Sequence, residues 1–375
     1  MLFLLGKKAL YLTEVGPLYG EGKVVRPSGL HPIGAMMIRN ATLAGGPMKI
    51  SLILPLYDRR NAGWSPLESA LNQTMTRGEY ELIVVVGRAF GNEATTDAHA
   101  DELLRQCDAV VNVDVDTNSP EQEVPLLLAG YERSAGDVLF FMEGHTELDP
   151  DCCAMIAAHF RDNPRSRIAW APRIHRSTTS LGLLIGMHSK RHERRVWQQG
   201  GFWLGANSVI TREYFEHLGR LEAGYMRFCE RVLCERVWRE NVAIGRLPLP
   251  LSIHYDDMPL SQLIDVAATA GEAKFRYYNS AISGAGAGPV QVRHGIYLIA
   301  NRAVGALILF PVACLLRGLF LRVAVAANRI SRNWAYRFYV AGLGFADLSG
   351  FCRARIRAAG VRRPHALTAP SKSPL

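Results

Sequence analysis

The chain has no CxxC pair, no Gly-rich phosphate loop, no uncharged apolar run of spanning length and almost no acid towards its C-terminus. Each absence excludes something. Seven cysteines stand at 107, 152, 153, 229, 234, 314 and 352. An odd count without zinc-type spacing argues against a disulfide framework or a structural zinc, and for reduced thiols in a cytosolic compartment. Cys152 and Cys153 read as adjacent buried thiols. The polar turn "YDRRNAGW" holds a single glycine, Gly63, which argues against nucleotidyl transfer through a Gly-rich loop. The longest uncharged apolar stretch, Ala303 to Leu316, has 14 residues, short of the roughly 20 that a spanning helix needs. From Arg293 onward 13 Arg and Lys accompany one acid, Asp347. That region carries +12 against a formal total of +9, which leaves the rest of the chain near −3. The basic character, and any partner it serves, belongs to the tail.

What is present describes a large α/β unit with an appendage. Of 375 residues, 49% are hydrophobic and 21% charged, a composition that folds around a core. Residues 1–47 are rich in Gly and Pro without a steady period. The apolar run in "MLFLLGKKALYL" is too short for a signal peptide, and its lysines follow the run. Residues 1–47 are therefore expected to be an extension, with Met48 the natural start.

Ile50 to Pro55 reads as a strand. Ser65-Pro66 reads as an N-cap with Pro at the first helical position, opening a helix to about Gln73. Tyr80 to Val86 is a β-branched run of the central parallel type. Asp97 to Cys107 reads as helix, Ala109 to Val113 as strand, then a helix ends near Gly136 and Val138 to Met142 forms a fourth strand. This alternation predicts an α/β fold with a doubly wound, mainly parallel sheet and right-handed crossovers. Ligands bind at the carboxyl ends of such strands, and Glu143-Gly144-His145 stands at one. Pro150 to Arg161 then reads as helix and Ile168 to Ala171 as strand. Residues 172–200, polar and basic, read as a mobile loop or excursion. Ser208 to Ile210 is a short strand with a helix from Thr211, Tyr225 to Asn241 is a helix, and "LPLPLSIHYDD" is extended up to His254. Gly284 to Gly288 reads as a flexible turn.

From Tyr297 the chain turns strongly apolar, "YLIANRAVGALILFPVACLLRGLFLRVAVAA". Arg302, Arg317 and Arg322 bracket the apolar stretches, and Pro311 is expected to break or kink them. The segment reads as helices lying in, or dipping into, a membrane interface, with arginines at headgroup level. A helical subdomain buried against the rest is the other reading. The expected division is 48–288 for the main domain, 289–360 for the apolar and basic helical region and 361–375 for a flexible tail. Basic residues alternate with aliphatic rather than aromatic groups, so no nucleic-acid partner is expected.

In order and spacing, "ISLILPLYDR", "LESALNQT", "YELIVVVG", "GDVLFFMEGHTELDPD", "GANSVITREYFEHLG", "CERVLCERV" and the later "IH" resemble the family-2 glycosyltransferases of GT-A fold. The likeness covers roughly residues 49–255. It implies transfer of a sugar, with inversion, from a nucleotide-diphosphate donor to a hydroxyl of a polysaccharide, glycolipid or lipid-linked acceptor. With the apolar tail it implies a place on the cytoplasmic face of the plasma (inner) membrane, against its anionic surface. No Gln-x-x-Arg-Trp occurs, which argues against a processive synthase of the cellulose kind.

By this resemblance Pro55, Tyr57, Asp58 and Arg59 line the nucleotide. Glu143-Gly144-His145 takes the place of the family's metal-binding Asp-x-Asp. Glu143, His145 and the later His254 are the expected ligands of a divalent metal, Mg or Mn, or else a protonated His145 faces the diphosphate itself. Trp203, Gly205 and Asn207 fall on the acceptor side. Glu230-Arg231 replaces the family's Glu-Asp, so Glu230 is the remaining candidate for the general base, with Glu235 behind it. "VVGRA" lacks the acid that reads the base in the family, and Arg88 is free to meet phosphate or another base. Asp114 and Asp116, a literal Asp-x-Asp, are the rival metal site, and Asp256-Asp257 are further possible ligands. A degenerate member that binds a sugar nucleotide or a partner without turnover fits the same departures.

Overall fold

The computed structural model describes residues 48–57, 60, 62–87, 97–115, 123–198, 208–248, 250–282 and 295–361. The expected extension, the turn at 284–288 and the tail beyond Val361 lie outside the described residues. The first half of the chain alternates as its hydrophobic pattern demands. β1 (Ile50–Leu56), α1 (Ser65–Leu71), β2 (Tyr80–Gly87), α2 (Ala98–Arg105), β3 (Ala109–Val113), α3 (Glu123–Arg133) and β4 (Val138–Phe141) follow one another. β1, β2 and β4 are buried at every position, because helices cover both faces. β3 is the edge strand and alternates half-buried with exposed residues. Helix α1 begins with Ser65 and Pro66 already inside, its N-cap being Trp64 rather than Ser65. α2 is capped as its sequence promises, with Asp97 accepting from the backbone N–H groups of His99 and Ala100.

Next come β5 (Thr146–Leu148), α4 (Cys152–Asp162), β6 (Ile168–Trp170), β7 (Arg173–Arg176), α5 (Ser180–Gln198), β8 (Ser208–Thr211), α6 (Arg212–His217), α7 (Cys229–Glu240), β9 (Gly245–Arg246) and β10 (Ser252–Tyr255). The main sheet has the order β3-β2-β1-β4-β8-β6-β9. It is parallel from β3 to β4, and β8 runs antiparallel to both β4 and β6. This is the doubly wound, mainly parallel α/β sheet that the sequence predicts. Ile50 lies opposite both Tyr80 and Val138, so β1, β2 and β4 present their carboxyl ends along one edge. A second sheet, β5-β10-β7, stands beyond the end of β4. One core lies on each face of the main sheet: Leu52, Leu54, Val84 and Phe140 face α1, α2 and α4, while Ile53, Val85 and Phe141 face α3, α6 and α7. All seven cysteines are free thiols, with Cys152 and Cys153 both buried.

Two expectations need correction. Residues 172–198 are not a loop: strand β7 and the 19-residue helix α5 occupy most of them. Leu181, Leu184 and Ile185, at helical spacing, are buried against the C-terminal region and supply the reason. Pro311 also does not break the tail. After α8 (Leu260–Ile282) and α9 (Gly295–Ala300), helix α10 (Ala303–Ala327) continues past it for 25 residues in all, and α11 (Arg332–Val361) returns over 30. A proline removes one backbone donor, and packing along α11 holds the remaining turns.

α11 is the middle layer of this appendage, between α10 outside and α8 and α5 inside. It crosses α8 at backbone contact. A Cβ on Gly271 would sit 1.8 Å from the Asp347 carbonyl oxygen, and one on Gly350 1.7 Å from that of Ala268. Asp347, the lone acid of the basic tail, faces inward, where its carboxylate accepts from Lys274 Nζ at 2.5 Å and from the Tyr297 hydroxyl.

Away from the carboxyl edge, Glu81 ties three segments together. It is 5% exposed and accepts from Ser51 Oγ at 2.6 Å, Lys49 Nζ at 2.8 Å and Gly136 N at 3.0 Å. Burial would raise its carboxyl, but the bonds from Lys49, Ser51 and Ala135 hold it below the usual range. A depressed carboxylate contributes stability that is fully present above its unfolded value of about 4.3 and fades as pH falls through the folded value. Glu81→Gln should therefore lower the melting temperature at pH 7, and the gap to the parent should narrow below about pH 4. Thermal melts across pH check this, and a gap that stays constant with acid would refute it.

Candidate functional site

The site begins where β4 ends. Met142 N bonds to the Ile53 carbonyl at 2.9 Å, which carries the β1–β4 pairing one residue further and fixes the exit of Glu143. The chain turns through Gly144 into β5. There His254 of β10 is opposite Thr146 on one side and His175 of β7 on the other. Three strands thus bring residues far apart in sequence into one polar cluster.

Three lone-pair atoms converge. The Nε2 atoms of His145 and His254 lie 3.0 Å apart. Glu143 Oε2 is 3.2 Å from His254 Nε2 and 3.7 Å from His145 Nε2. His145 and His254 are 3% and 4% exposed, so water does little to separate them. Around these atoms is a frame that the sequence did not disclose. Arg173 donates from one guanidinium nitrogen to Glu143 Oε2 at 2.9 Å and from Nε to Glu193 Oε1 at 2.5 Å. His175 has carboxylates on both ring nitrogens, with Nδ1 at 3.1 Å from both Asp256 oxygens and Nε2 at 3.2 Å from Glu193 Oε1. His254 Nδ1 lies 2.9 Å from Asp256 Oδ1.

The protonation pattern follows from these partners. Ionised carboxylates only accept, so both nitrogens of His175 carry hydrogens and the ring is an imidazolium. Burial alone would lower its pKa, but Asp256 and Glu193 raise it above the ordinary value. Burial would likewise raise Asp256 and Glu143. His175 and His254 hold Asp256 far below the usual range, and Arg173 and then His254 hold Glu143 well below it. His254 likewise has a carboxylate near each ring nitrogen, with Nδ1–H donating to Asp256 and Nε2 3.2 Å from Glu143 Oε2. The convergence of Glu143, His145 and His254 is satisfied by a proton shared among them, or by a metal ion in its place. Among the described residues two sets of side chains have the spacing of metal ligands, Glu143-His145-His254 and His175-His254-Asp256.

Helix α5 reaches this cluster because it carries glycines on the facing side. A Cβ at Gly182 would meet Asp257 Oδ1 at 2.0 Å, and one at Gly186 would meet Asp256 Oδ2 at 2.7 Å. Asp257 is consumed structurally: its two oxygens accept from the backbone N–H and hydroxyl of both Thr178 and Thr179, at 2.7–3.1 Å, at the entry to α5. It is not placed as a metal ligand, and Asp256 acts through the two imidazoles.

The other expected residues fall as follows. Pro55 is buried in β1 and Tyr57 stands just past its end, half-buried, on the same edge as Glu143. Arg60 donates to the Tyr255 carbonyl at 2.8 Å, tying the turn after β1 to β10. Asp58, Arg59, Arg88, Asp116, Trp203, Gly205 and Asn207 lie outside the described residues. Asp114 is exposed after β3. Glu230 is half-buried in the first turn of α7. Glu235 is taken up: its carboxylate accepts from Arg231 Nε at 3.2 Å and from the Tyr277 hydroxyl, which holds α7 to α8. Sequence reasoning missed Arg173, His175 and Glu193. Glu193 and His192 sit in the basic run "HSKRHERR", where an acid among cations was the available sign.

No protein-family model matches the chain, and no curated protein matches it in sequence. Among solved structures it is similar to residues 1–349 of S. aureus TarS in complex with UDP, at 10% identity and a TM-score of 0.45, over 84% of this chain and 92% of that one. It is also similar to the mannosyltransferase PcManGT from Pyrobaculum calidifontis in complex with GDP-Man and Mn2+, at 12% identity and a TM-score of 0.48, over 79% and 85% of the two chains. Likeness at this level assigns no residue and no substrate to this chain.

Proposed function

We propose that the chain is a glycosyltransferase of the family-2 type, which moves a sugar with inversion from a nucleotide-diphosphate donor to a hydroxyl of a polysaccharide, glycolipid or lipid-linked acceptor. The observation that carries this reading is the convergence of Glu143 Oε2, His145 Nε2 and His254 Nε2 at the carboxyl end of β4. The motif order calls for donor phosphates at that position. Pro55 and Tyr57, with Asp58 and Arg59 in the following turn, line the nucleotide. Glu143, His145 and His254 fit a divalent cation, since carboxylate oxygen and imidazole nitrogen are ordinary ligands. Such a cation, when bound, neutralises charge that develops on the leaving diphosphate. Trp203, Gly205 and Asn207 serve the acceptor side.

In the reaction the bond between the anomeric carbon and the phosphate oxygen breaks, and the acceptor oxygen bonds to that carbon from the other face. The acceptor proton passes to a carboxylate. Glu230 is the candidate, because Arg231 stands where the family has its second acid and Glu235 is occupied by Arg231 and Tyr277.

Glu143→Ala and His145→Ala should each abolish the thermal shift that a nucleotide sugar induces. A ligand at a hundred times its dissociation constant stabilises by about 2.7 kcal/mol, so the loss is measurable. Retention of the shift in both variants would move the donor site elsewhere, most directly to Asp114 and Asp116.

Glu230→Gln should reduce turnover by about 10²–10⁴-fold while donor binding persists. Unchanged turnover in single-turnover assays would remove Glu230 from the mechanism. A parent protein that binds donor but neither transfers nor hydrolyses it would favour the degenerate, binding-only reading.

The appendage supports a membrane location. Helix α10 is long and apolar enough to cross a membrane, yet one side of it, through Ala306, Ala313, Leu321 and Ala324, is buried in the protein. Val304, Leu307, Ile308, Val312, Leu315 and Leu319 form an exposed stripe on one face. Arg302 lies before it and Arg322 and Arg329 after it, all exposed. An apolar face bounded by cations fits a helix lying in the plane of an anionic bilayer, here the cytoplasmic face of the plasma membrane.

Because α11 seals α8 and α5, substitution tests this better than truncation. Ile308→Glu with Leu315→Glu should release the protein from anionic vesicles at salt concentrations that leave the parent bound. The apo melting point should hardly move, as at other surface sites. A double variant that still floats with vesicles, or a parent that is monomeric without detergent, would contradict the interfacial reading.

A further inference from the structure

We infer that the turn between α10 and α11, together with the basic second half of α5, is a seat for the headgroups of an anionic bilayer, so that the membrane meets a wall of the candidate site as well as the appendage. This rests on the membrane location proposed above and goes beyond it, from the apolar side of α10 to the place where lipid phosphates are held. α10 ends at Ala327 and α11 starts at Arg332. In and beside this turn Arg329, Arg332 and Arg337 are exposed. Ile330, at 91%, is the most exposed large apolar side chain among the described residues, and Trp334 is 57% exposed.

The same end of the appendage packs on α5. Ala324, Ala335 and Tyr339 share a buried cluster with Leu184 and Ile185. The Arg191 guanidinium lies 4.0 Å from the centre of the Tyr336 ring, and Tyr336 stands one helical turn after Arg332. His188 Nδ1 is 3.3 Å from the Tyr336 hydroxyl. Lys190, Arg191 and Arg194 are exposed. Glu193, the only acid of α5, is instead buried against Arg173 and His175. From Arg322 to Ala346 the chain has four arginines and no acid. Two segments distant in sequence thus join into one surface with cations of a single sign.

The mixture of side chains selects the partner. Guanidinium forks match phosphate oxygens, and a soluble polyanion would satisfy them too. It would give Ile330 and Trp334 nothing. A bilayer takes all of them: the isoleucine enters the acyl boundary, tryptophan ranks among the side chains that favour the headgroup level, and arginines stay with the phosphates. The Arg337 guanidinium lies 5.1 Å from the centre of the Trp334 ring, which keeps cation and ring at one depth.

The test uses the full-length protein with vesicles of phosphatidylcholine alone and of an equimolar mixture with phosphatidylglycerol. Arg332→Gln and Arg194→Gln should each weaken binding to the mixed vesicles by about fivefold and leave binding to phosphatidylcholine unchanged. Ile330→Glu should weaken binding to both by about tenfold or more. Lipids brominated on their acyl chains should quench the parent's tryptophan fluorescence more than that of Trp334→Phe. All four positions are exposed, so the melting point should hardly move. Three results would overturn the inference: arginine variants that bind mixed vesicles as the parent does, quenching unaltered in Trp334→Phe, or Ile330→Glu that keeps full vesicle binding while the parent binds heparin as tightly as vesicles, the mark of a seat for an acidic polymer. If Ile308→Glu with Leu315→Glu releases the protein and these variants do not, this inference falls and the membrane location stands. A parent that binds neither vesicle removes both.

Discussion

The architecture around the site depends on one requirement: three lone-pair atoms brought to within about a hydrogen-bond length of one another inside a protein must share a positive charge. Glu143, His145 and His254 impose it, and the neighbouring residues can be understood as consequences. Asp256 needs His175 and His254 as donors. His175 needs two acceptors and finds the second in Glu193. Arg173 bridges Glu193 and Glu143 and closes the ring. None of these groups would be tolerable alone at that depth, and each is satisfied by the next. Removing one member should therefore disturb more than its own contacts, because networks of this kind couple their parts.

The fold supplies the requirement by unequal means. The parallel half of the main sheet aligns the ends of β1, β2 and β4. The short sheet β5-β10-β7 then brings His145, His254 and His175 side by side, the first two from positions 109 residues apart. The close approach of α5 depends on Gly182 and Gly186, and its entry is held by Asp257. The same helix packs its apolar side on α11, so the site wall and the appendage share one element. The exposed apolar stripe of α10 is separated from that wall by α11.

Much of this was legible in sequence. Continuous β-branched runs marked β1, β2 and β4, and the polar residues at their ends marked the edge where ligands bind. Glu143 and His145 stood out at a strand end, and the resemblance to the glycosyltransferases added His254, before their geometry was known. The region 172–200 was not legible. The run "SKRHERR" that follows Leu181, Leu184 and Ile185 in the same helix hides their helical spacing. Arg173 and His175 have no local signal and Glu193 only that of an acid among cations, because their partners lie 18 to 81 residues away. Asp256 and Asp257 are indistinguishable as a pair in sequence, and only packing gives one to the imidazoles and the other to the threonines. Pro311 does not break its helix, since tertiary contacts along α11 outweigh the lost backbone bond.

The central claim is that this buried cluster holds the donor's phosphates. Diffraction from a crystal grown with a nucleoside diphosphate sugar and Mn, recorded at a wavelength where Mn scatters anomalously, tests it most directly. The account predicts an anomalous peak between Glu143 Oε2, His145 Nε2 and His254 Nε2, with diphosphate oxygens on its open side and the nucleotide running towards Tyr57. A nucleotide bound elsewhere on the molecule, with no peak between these three side chains, would contradict it.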